Sequence, residues 1–502
     1  MRYAMPSTKA FRHSLISLFA ACTLAATAQT PVAAVTAAPA PAAPVPALFL
    51  SDIHLDPFAD PAKVAKLNAT PASEWPAILS APASPTQQQD SAALVKACPT
   101  RGTDTNYTLW QSSLSALHAN AAQSRFVTIS GDLLAHSFDC KYKKLLPTAT
   151  PADYTAFTVK TVRTIVDTLR SALPGVPVYV GMGNNDSGCT DYALDATNDT
   201  FLAAVSKIVA AALPADLSPA DRVAAERDFA AGGNYSVPVA AVPHTRLLVL
   251  DDLFLSSKYA TCAGKPDPTP AVAQLAWLAD QLAAARQHNE RVWVMGHIPP
   301  GVDLYATARK FVNVCAGAAP QMFLANESLS NLLAQNADIV RLAIFGHTHA
   351  DEMRLLVPDH SARVSAIASL GVPLKIVPSI TPVNGNRPTF TLASVDPATA
   401  LLADYTVVMA SNLTGIDAIW APEYTYSTAY HQPAFDAPSL TNLIPALQAD
   451  PSAKTAASQT YLRSYFPGDM SLILQLAWPQ YACSLNHDSA AAFAACACAV
   501  TK

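Results

Sequence analysis

The sequence predicts an α/β protein finished by a mostly helical C-terminal region. Short apolar runs of strand length alternate with longer Ala/Leu-rich segments suited to helices, as in a layered α/β or α+β domain. Five of the runs end in Gly or Ser followed, at once or nearly so, by a residue able to bind a ligand. Buried strands deliver polar side chains in this way at their ends, where open α/β sheets collect ligands. Beyond about Val408 the runs give way to an aromatic-rich stretch.

Residues 1–28 read as an export signal: Arg2, Lys9 and Arg12 precede an apolar stretch from Leu15 to Ala26, and Ala26-Thr27-Ala28 fits a small-x-small cleavage site. Lipid attachment at Cys22 is the lesser alternative, with the bulky Phe19 against it. Residues 29–46 hold Pro31, Pro39, Pro41, Pro44 and Pro46 among alanines and read as an extended tether. A main domain is expected over 47–410 and a helical C-terminal region over 411–502. The five marked runs are Leu48–Leu50 before Ser51-Asp52, Phe126–Ile129 before Ser130-Gly131-Asp132, Val178–Val180 before Gly183-Asn184, Val292–Met295 before Gly296-His297, and Ala343–Phe345 before Gly346-His347. Thr158–Leu173 and Ala271–Gln287 suit helices, as do Ser439–Gln448 and the surroundings of Leu472. Trp420, Tyr424, Tyr426, Tyr430, Tyr461 and Tyr465 read as core, with a substrate rim as the rarer use.

A chain of 502 residues is no small disulfide scaffold, and 51% apolar against 14% charged residues excludes a disordered one. The formal net charge of -5 offers no general attraction to polyanions, so binding of nucleic-acid duplexes is not expected. No stretch after the signal reaches the roughly 20 uninterrupted apolar residues of a membrane span. Cys98, Cys140, Cys189, Cys262, Cys315, Cys483, Cys496 and Cys498 form an even set, which in an exported chain suggests up to four disulfides of undetermined pairing. The competing reading is a zinc-thiolate site at Cys483, Cys496 and Cys498.

Asp52-Ile53-His54 and His347-Thr348-His349 each place two ligand-type side chains two residues apart, so in an extended segment both point to one side and can grip a cation. Alone neither pair is specific, since a lone His is more often structural. Their conjunction with Gly131-Asp132, Gly183-Asn184 and Gly296-His297, each after an apolar run, is far harder to produce by accident.

In these motifs, Asp-x-His, Gly-Asp, Gly-Asn, Gly-His and Gly-His-x-His, the chain resembles the calcineurin-like metallophosphoesterases. The resemblance implies a four-layer α/β/β/α sandwich and two divalent ions. One would be held by Asp52, His54, Asp132 and His349, the other by Asp132, Asn184, His297 and His347, with Asp132 bridging. Four imidazoles, two carboxylates and one amide oxygen suit zinc above all, or iron or manganese, better than calcium or magnesium. Such a pair acidifies a shared water for attack on phosphorus.

Gly131-Asp132-Leu133-Leu134-Ala135-His136, Gly296-His297-Ile298-Pro299-Pro300-Gly301 and Gly346-His347-Thr348-His349-Ala350-Asp351-Glu352 narrow the resemblance to acid sphingomyelinase-like phosphodiesterases. Pro378-Ser379-Ile380-Thr381-Pro382, Asn386-Arg387-Pro388 and the segment from Cys98 through Asp104 add to it. One departure stands out. Where that family has His after the ligand Asn, this chain has Asn185, in Gly183-Asn184-Asn185-Asp186, a run similar to that of endopolyphosphatases. An amide can bond phosphate but cannot serve as a general acid, which leaves His136 as the candidate proton donor. Losing an acid matters least when the leaving group is already a stable anion, so phosphoanhydride or nucleotide-like substrates are expected ahead of sphingomyelin. Asp251-Asp252 reads as a structural strand-end pair, with shaping of the substrate pocket as the lesser alternative. Asp186, Asp351 and Glu352 read either as carboxylates that orient the ligand histidines or as solvated loop residues.

The function expected is that of a secreted or periplasmic phosphodiesterase acting on a small phosphate ester or phosphoanhydride. The alternatives are an endopolyphosphatase-like or phosphomonoesterase hydrolase, and a metal-dependent phosphate-binding protein without turnover.

Overall fold

The computed structural model describes residues 43–197, 199–358, 371–468 and 471–500. The expected signal segment, Cys22 and the tether up to residue 42 lie outside the described residues. Among those residues twelve strands form two six-stranded sheets. In chain order they are β1 (Val45–Leu50), β2 (Val127–Ser130), β3 (Val178–Gly181), β4 (Tyr235–Pro238), β5 (Thr245–Val249), β6 (Arg291–Met295), β7 (Val340–Phe345), β8 (Glu352–Leu356), β9 (Val372–Ile376), β10 (Thr389–Val395), β11 (Leu402–Ala410) and β12 (Trp420–Thr425). All five runs marked in the sequence are strands: β1, β2, β3, β6 and β7. The first sheet has the order β12-β11-β10-β1-β2-β3 and the second β4-β5-β6-β7-β9-β8. Strands β1, β2 and β3 are parallel, as are β5, β6, β7 and β9.

Period-2 alternation decides which side chain meets which layer. On β6, Trp293 and Met295 join the core shared with the first sheet, whereas Val292 and Val294 share a core with Leu278 and Leu282 of the helix Thr269–Gln287. Trp293 meets Phe49 of β1 edge-on at 6.1 Å between centroids, and its indole N–H donates to the Ala400 carbonyl at 2.8 Å. Sheets buried on both faces, with helices outside, give the four-layer α/β/β/α sandwich that the resemblance implied. The helix expected from Thr158 begins earlier, at Pro151, because Thr150 and Asp153 form a capping box and Pro151 occupies the first turn.

The C-terminal region is helical over Ala437–Gln448, Ala456–Ser464, Leu472–Leu476, Trp478–Ser484 and Ala490–Val500. It also contributes β12, which extends the first sheet by pairing antiparallel with β11. Its aromatics are mostly core: Tyr426, Tyr430 and Tyr461 are buried, and Trp420 stacks on Phe390 at 5.4 Å. Eight cysteines pair as Cys98–Cys140, Cys189–Cys262, Cys315–Cys498 and Cys483–Cys496, so the zinc-thiolate reading is displaced by disulfides.

Candidate metal centre

The ends of β1, β2, β3, β6 and β7 meet at one edge of the sandwich, and the residues just beyond them interlock. Asp52 N–H donates to the Gly131 carbonyl and His54 N–H to that of Asp132, both at 3.0 Å, while Gly346 N–H donates to the His297 carbonyl at 2.9 Å. The backbone there is not the extended segment that the Asp-x-His and His-x-His spacings suggested. Asp52, His54, Asp132, His347 and His349 all have positive φ, between 45° and 72°. Alternating left-handed residues turn the chain so that both members of each pair still face inward while Ile53, between the first two, is buried in the core. Such conformations are strained for residues with a Cβ and persist only where the surroundings impose them. Gly183 has its own reason for being glycine, since a Cβ there would overlap the Asp132 carboxylate.

Ligand-type atoms of Asp52, His54, Asp132 and His349 lie within 4.8 Å of one another, as do those of Asp132, His297 and His347. Asp132 belongs to both groups, the arrangement expected of a bridging carboxylate. Each imidazole is oriented by its other nitrogen. His54 sets Nδ1 on the Leu134 carbonyl at 2.7 Å, and His297 sets Nδ1 on that of Ser130 at 2.7 Å, so both aim Nε2 at Asp132, at 3.3 and 3.1 Å. His349 has Nδ1 3.3 Å from the Asn384 amide and Nε2 3.3 Å from Asp52. His347 is reversed: Nε2 lies 3.4 Å from the Tyr192 hydroxyl and Nδ1 faces His297. Asn184 donates from Nδ2 to Asp191 at 2.7 Å, which turns its Oδ1 the other way.

Among the described residues the buried Asn184 Oδ1 has no hydrogen-bond partner, and His54 Nε2 meets the Asp132 carboxylate at 3.3 Å without hydrogen-bond geometry. Leaving a buried polar atom unpaired costs about 1–3 kcal/mol, and Asn184 Oδ1 belongs to the predicted donor set. A divalent cation fits that set. Electrostatics point the same way. Burial alone would raise the carboxyl of Asp132, yet His297 and His54 beside it hold it far below the usual range. Burial opposes protonation of His54 and His297, but Asp132 outweighs it and pushes them up to about 9 and about 10. His347 is pulled down to about 3 by burial and by His297.

Residues 45–351 match the calcineurin-like phosphoesterase family. The chain belongs to that family. Among relatives of this calcineurin-like phosphoesterase, the sphingomyelinase phosphodiesterase C of Dictyostelium discoideum is 24% identical over 56% of the chain and 54% of that protein. The cyclic GMP-AMP phosphodiesterase SMPDL3A of Rattus norvegicus is 25% identical over 55% and 58%, and the human acid sphingomyelinase-like phosphodiesterase 3b is 27% identical over 48% and 50%. The chain thus spans about half the length of the curated relatives it matches.

His136 and Asn185 both line a mouth of about 310 Å³ beside the centre. His136 stacks on His54 at 4.1 Å between centroids, and its Nδ1 and backbone N–H both bond Asp104, each at 2.8 Å. The Asn185 side chain turns inward instead: Nδ2 donates to Asp132 Oδ2 and its backbone N–H to Oδ1, each at 2.9 Å.

Asp186, Asp351 and Glu352 are neither solvated nor bonded to the candidate ligand histidines, whereas Asp252 is structural as expected. Asp186 holds backbone rather than a histidine, accepting from Leu133, Leu134 and Gly183 N–H groups. Asp252 accepts from the His297 and Ile298 N–H groups, which makes it part of the centre's scaffold. Burial pushes both carboxyls up to about 7. Asp351 and Glu352 are neither solvated nor directed at histidines: Asp351 pairs with Lys375 and the Tyr424 hydroxyl, Glu352 with Arg354 and the Tyr481 hydroxyl. Asp104, Asp191, Tyr192 and Asn384 have roles at the centre that no spacing or periodicity announced.

Proposed function

We propose that this calcineurin-like phosphoesterase is an exported, metal-dependent phosphoric ester hydrolase, a phosphodiesterase of the acid sphingomyelinase-like type. Its preferred substrates are phosphoanhydrides or nucleotide-like phosphates. Asp52, His54, Asp132, Asn184, His297, His347 and His349 would hold two divalent ions, zinc by the nitrogen-rich character of the donors. Ions bound there supply Lewis-acid activation of water and neutralisation of phosphoryl charge. The chain's own residues do the rest. His136, in the mouth and oriented by Asp104, is the group able to hand a proton to the departing oxygen. Asn185 spends its amide on Asp132, fixing the orientation of that carboxylate, and supplies no proton. A centre short of one acid favours leaving groups that are already stable anions.

The reading is supported by the unpartnered Asn184 Oδ1 beside the buried cluster of Asp52, Asp132 and preoriented imidazoles. The four disulfides and the names of the relatives, which are phosphodiesterases, support the exported and hydrolytic parts of it. The test is turnover of phosphodiesters, nucleotides and polyphosphate by zinc-loaded protein, with Asp132→Asn alongside. Loss of turnover in the variant and faster cleavage of anhydrides than of choline phospholipid are expected. A wild-type protein that holds metal and phosphate without turnover is a binding protein, and a preference for the phospholipid reverses the substrate order.

A further inference from the structure

The mouth holding His136 and Asn185 has one wall that neither the donor set nor the acid accounts for. The loop after Cys98 forms it, and that loop is fixed. Cys98 is bonded to Cys140 in the helix Phe138–Leu145 that follows His136, Ser137 Oγ reaches the Pro99 carbonyl at 3.3 Å, and Thr100 Oγ1 donates to the Gly102 carbonyl at 2.6 Å. Gly102 passes so close to Val383 that a Cβ would overlap its carbonyl oxygen.

The loop presents Arg101 into the mouth. Its guanidinium carbon rests 5.1 Å from the ring centroid of Tyr305, on the helix Leu304–Arg309, and the guanidinium forms no hydrogen bond or ion pair with any described residue. Beside His347, Lys258 repeats the arrangement: Nζ lies 4.6 Å from the Tyr192 ring centroid and 3.3 Å from its hydroxyl, with no carboxylate of the described residues at ion-pair distance. Asp191, the carboxylate in the same mouth, is engaged by Asn184. A chain of net charge -5 thus keeps two cations on aromatic rings, Arg101 in the mouth and Lys258 on the ring of Tyr192, whose hydroxyl faces His347. A ring holds a cation without neutralising it, and a planar guanidinium takes phosphoryl oxygens two at a time.

We propose that Arg101 forms a second anion subsite, placed to hold a non-scissile phosphoryl group while the scissile one sits at the metal centre. The inference rests on the phosphoanhydride reading above and assigns to one residue the choice of linked phosphates over isolated esters.

Two measurements on the full, zinc-loaded chain test it. In the first, kcat/KM is compared for ADP, tripolyphosphate and bis(4-nitrophenyl) phosphate in the wild type, Arg101→Ala and Arg101→Lys. The ratio of either anhydride to the bis-ester should fall at least tenfold in Arg101→Ala, with partial recovery in Arg101→Lys. A larger loss on ADP assigns the subsite to nucleotides and a larger loss on tripolyphosphate to inorganic chains. Equal losses on all three, or none, overturn the subsite. In the second, pyrophosphate and orthophosphate binding are titrated calorimetrically. The wild type should prefer pyrophosphate, and Arg101→Ala should lose that preference; a preference that survives the substitution overturns the proposal. Absence of turnover in the wild type would defeat the hydrolase reading alone, because the binding titration still decides the subsite.

Discussion

Replacing Tyr481 by Phe removes a single oxygen, yet it should be among the costliest conservative changes in the C-terminal region. The Tyr481 hydroxyl donates to Glu352 Oε2 at 2.8 Å, and the same oxygen accepts from Arg354 at 3.1 Å. Arg354 in turn donates to the Pro300 carbonyl at 3.0 Å, on the loop that begins with His297, and Glu352 opens β8 just after His349. The ring volume is preserved, so no cavity forms and the whole cost is polar. A hydrogen bond to a buried charged group is worth about 1.5–3 kcal/mol, and the Tyr461 hydroxyl, 2.8 Å from that of Tyr481, also loses its partner. We expect about 2–3 kcal/mol from the shift of the urea midpoint at unchanged slope. Glu352→Gln should cost more, since it leaves Arg354 buried without its counter-charge, and a double-mutant cycle should show the two changes coupled by at least about 1 kcal/mol. A Tyr481→Phe loss below about 0.5 kcal/mol, or strict additivity with Glu352→Gln, would refute the network as drawn.

Further outcomes follow from other parts of the molecule. Elemental analysis should find Asn184→Ala retaining one tightly held ion where Asp132→Asn retains neither, because Asn184 belongs to one predicted ligand set and Asp132 to both. Converting Cys98 and Cys140 together to Ser opens a loop of 42 residues, which chain entropy values at about 4 kcal/mol, and denaturant titration should show a loss approaching that figure. Glu423, on the edge strand β12, has a carboxyl raised to about 8 by burial and by Asp351, against the pull of the Gly468 N–H and Arg387. Between the ordinary glutamate range and about pH 8 the folded chain keeps a proton that the unfolded chain releases, so stability falls as pH rises through that window. Glu423→Gln should remove this slope in melting temperature against pH, matching the wild type near pH 4 and exceeding it near pH 8; parallel curves would reject the assignment.

The convergence of the candidate donor residues was legible because each follows the end of a buried strand, and hydrophobic runs survive transfer from sequence to structure better than any other pattern. Their backbone was not legible. Nothing in Asp52-Ile53-His54 announces left-handed residues with Cβ atoms, since those conformations are imposed by neighbouring loops rather than chosen locally. Strand β12 escaped notice for a local reason: it carries Pro422 and Glu423, poor strand residues that an edge tolerates and a central strand does not. Asp186 was visible as an acid close to a candidate ligand and Asp252 as a strand-end acid, but their targets are backbone N–H groups of other loops, and a partner far away in sequence leaves no periodicity to read.

Left-handed backbone at five of the candidate donor residues is unfavourable on its own. Around it, four buried carboxylates accept N–H groups from the same loops: Asp186 after Asp132, Asp252 at His297, Asp52 at His347, and Asp104 at His136. Only Asp52 is itself a predicted ligand. A carboxylate accepting backbone N–H groups holds a turn with charge-assisted bonds that a neutral side chain cannot match. Burial of such groups is costly on its own, as the raised carboxyls of Asp186 and Asp252 record. It is sustained here because the rest of the sandwich fixes the strand ends from which these loops depart. The geometry of the candidate donors is therefore a property of the two sheets and their carboxylate braces.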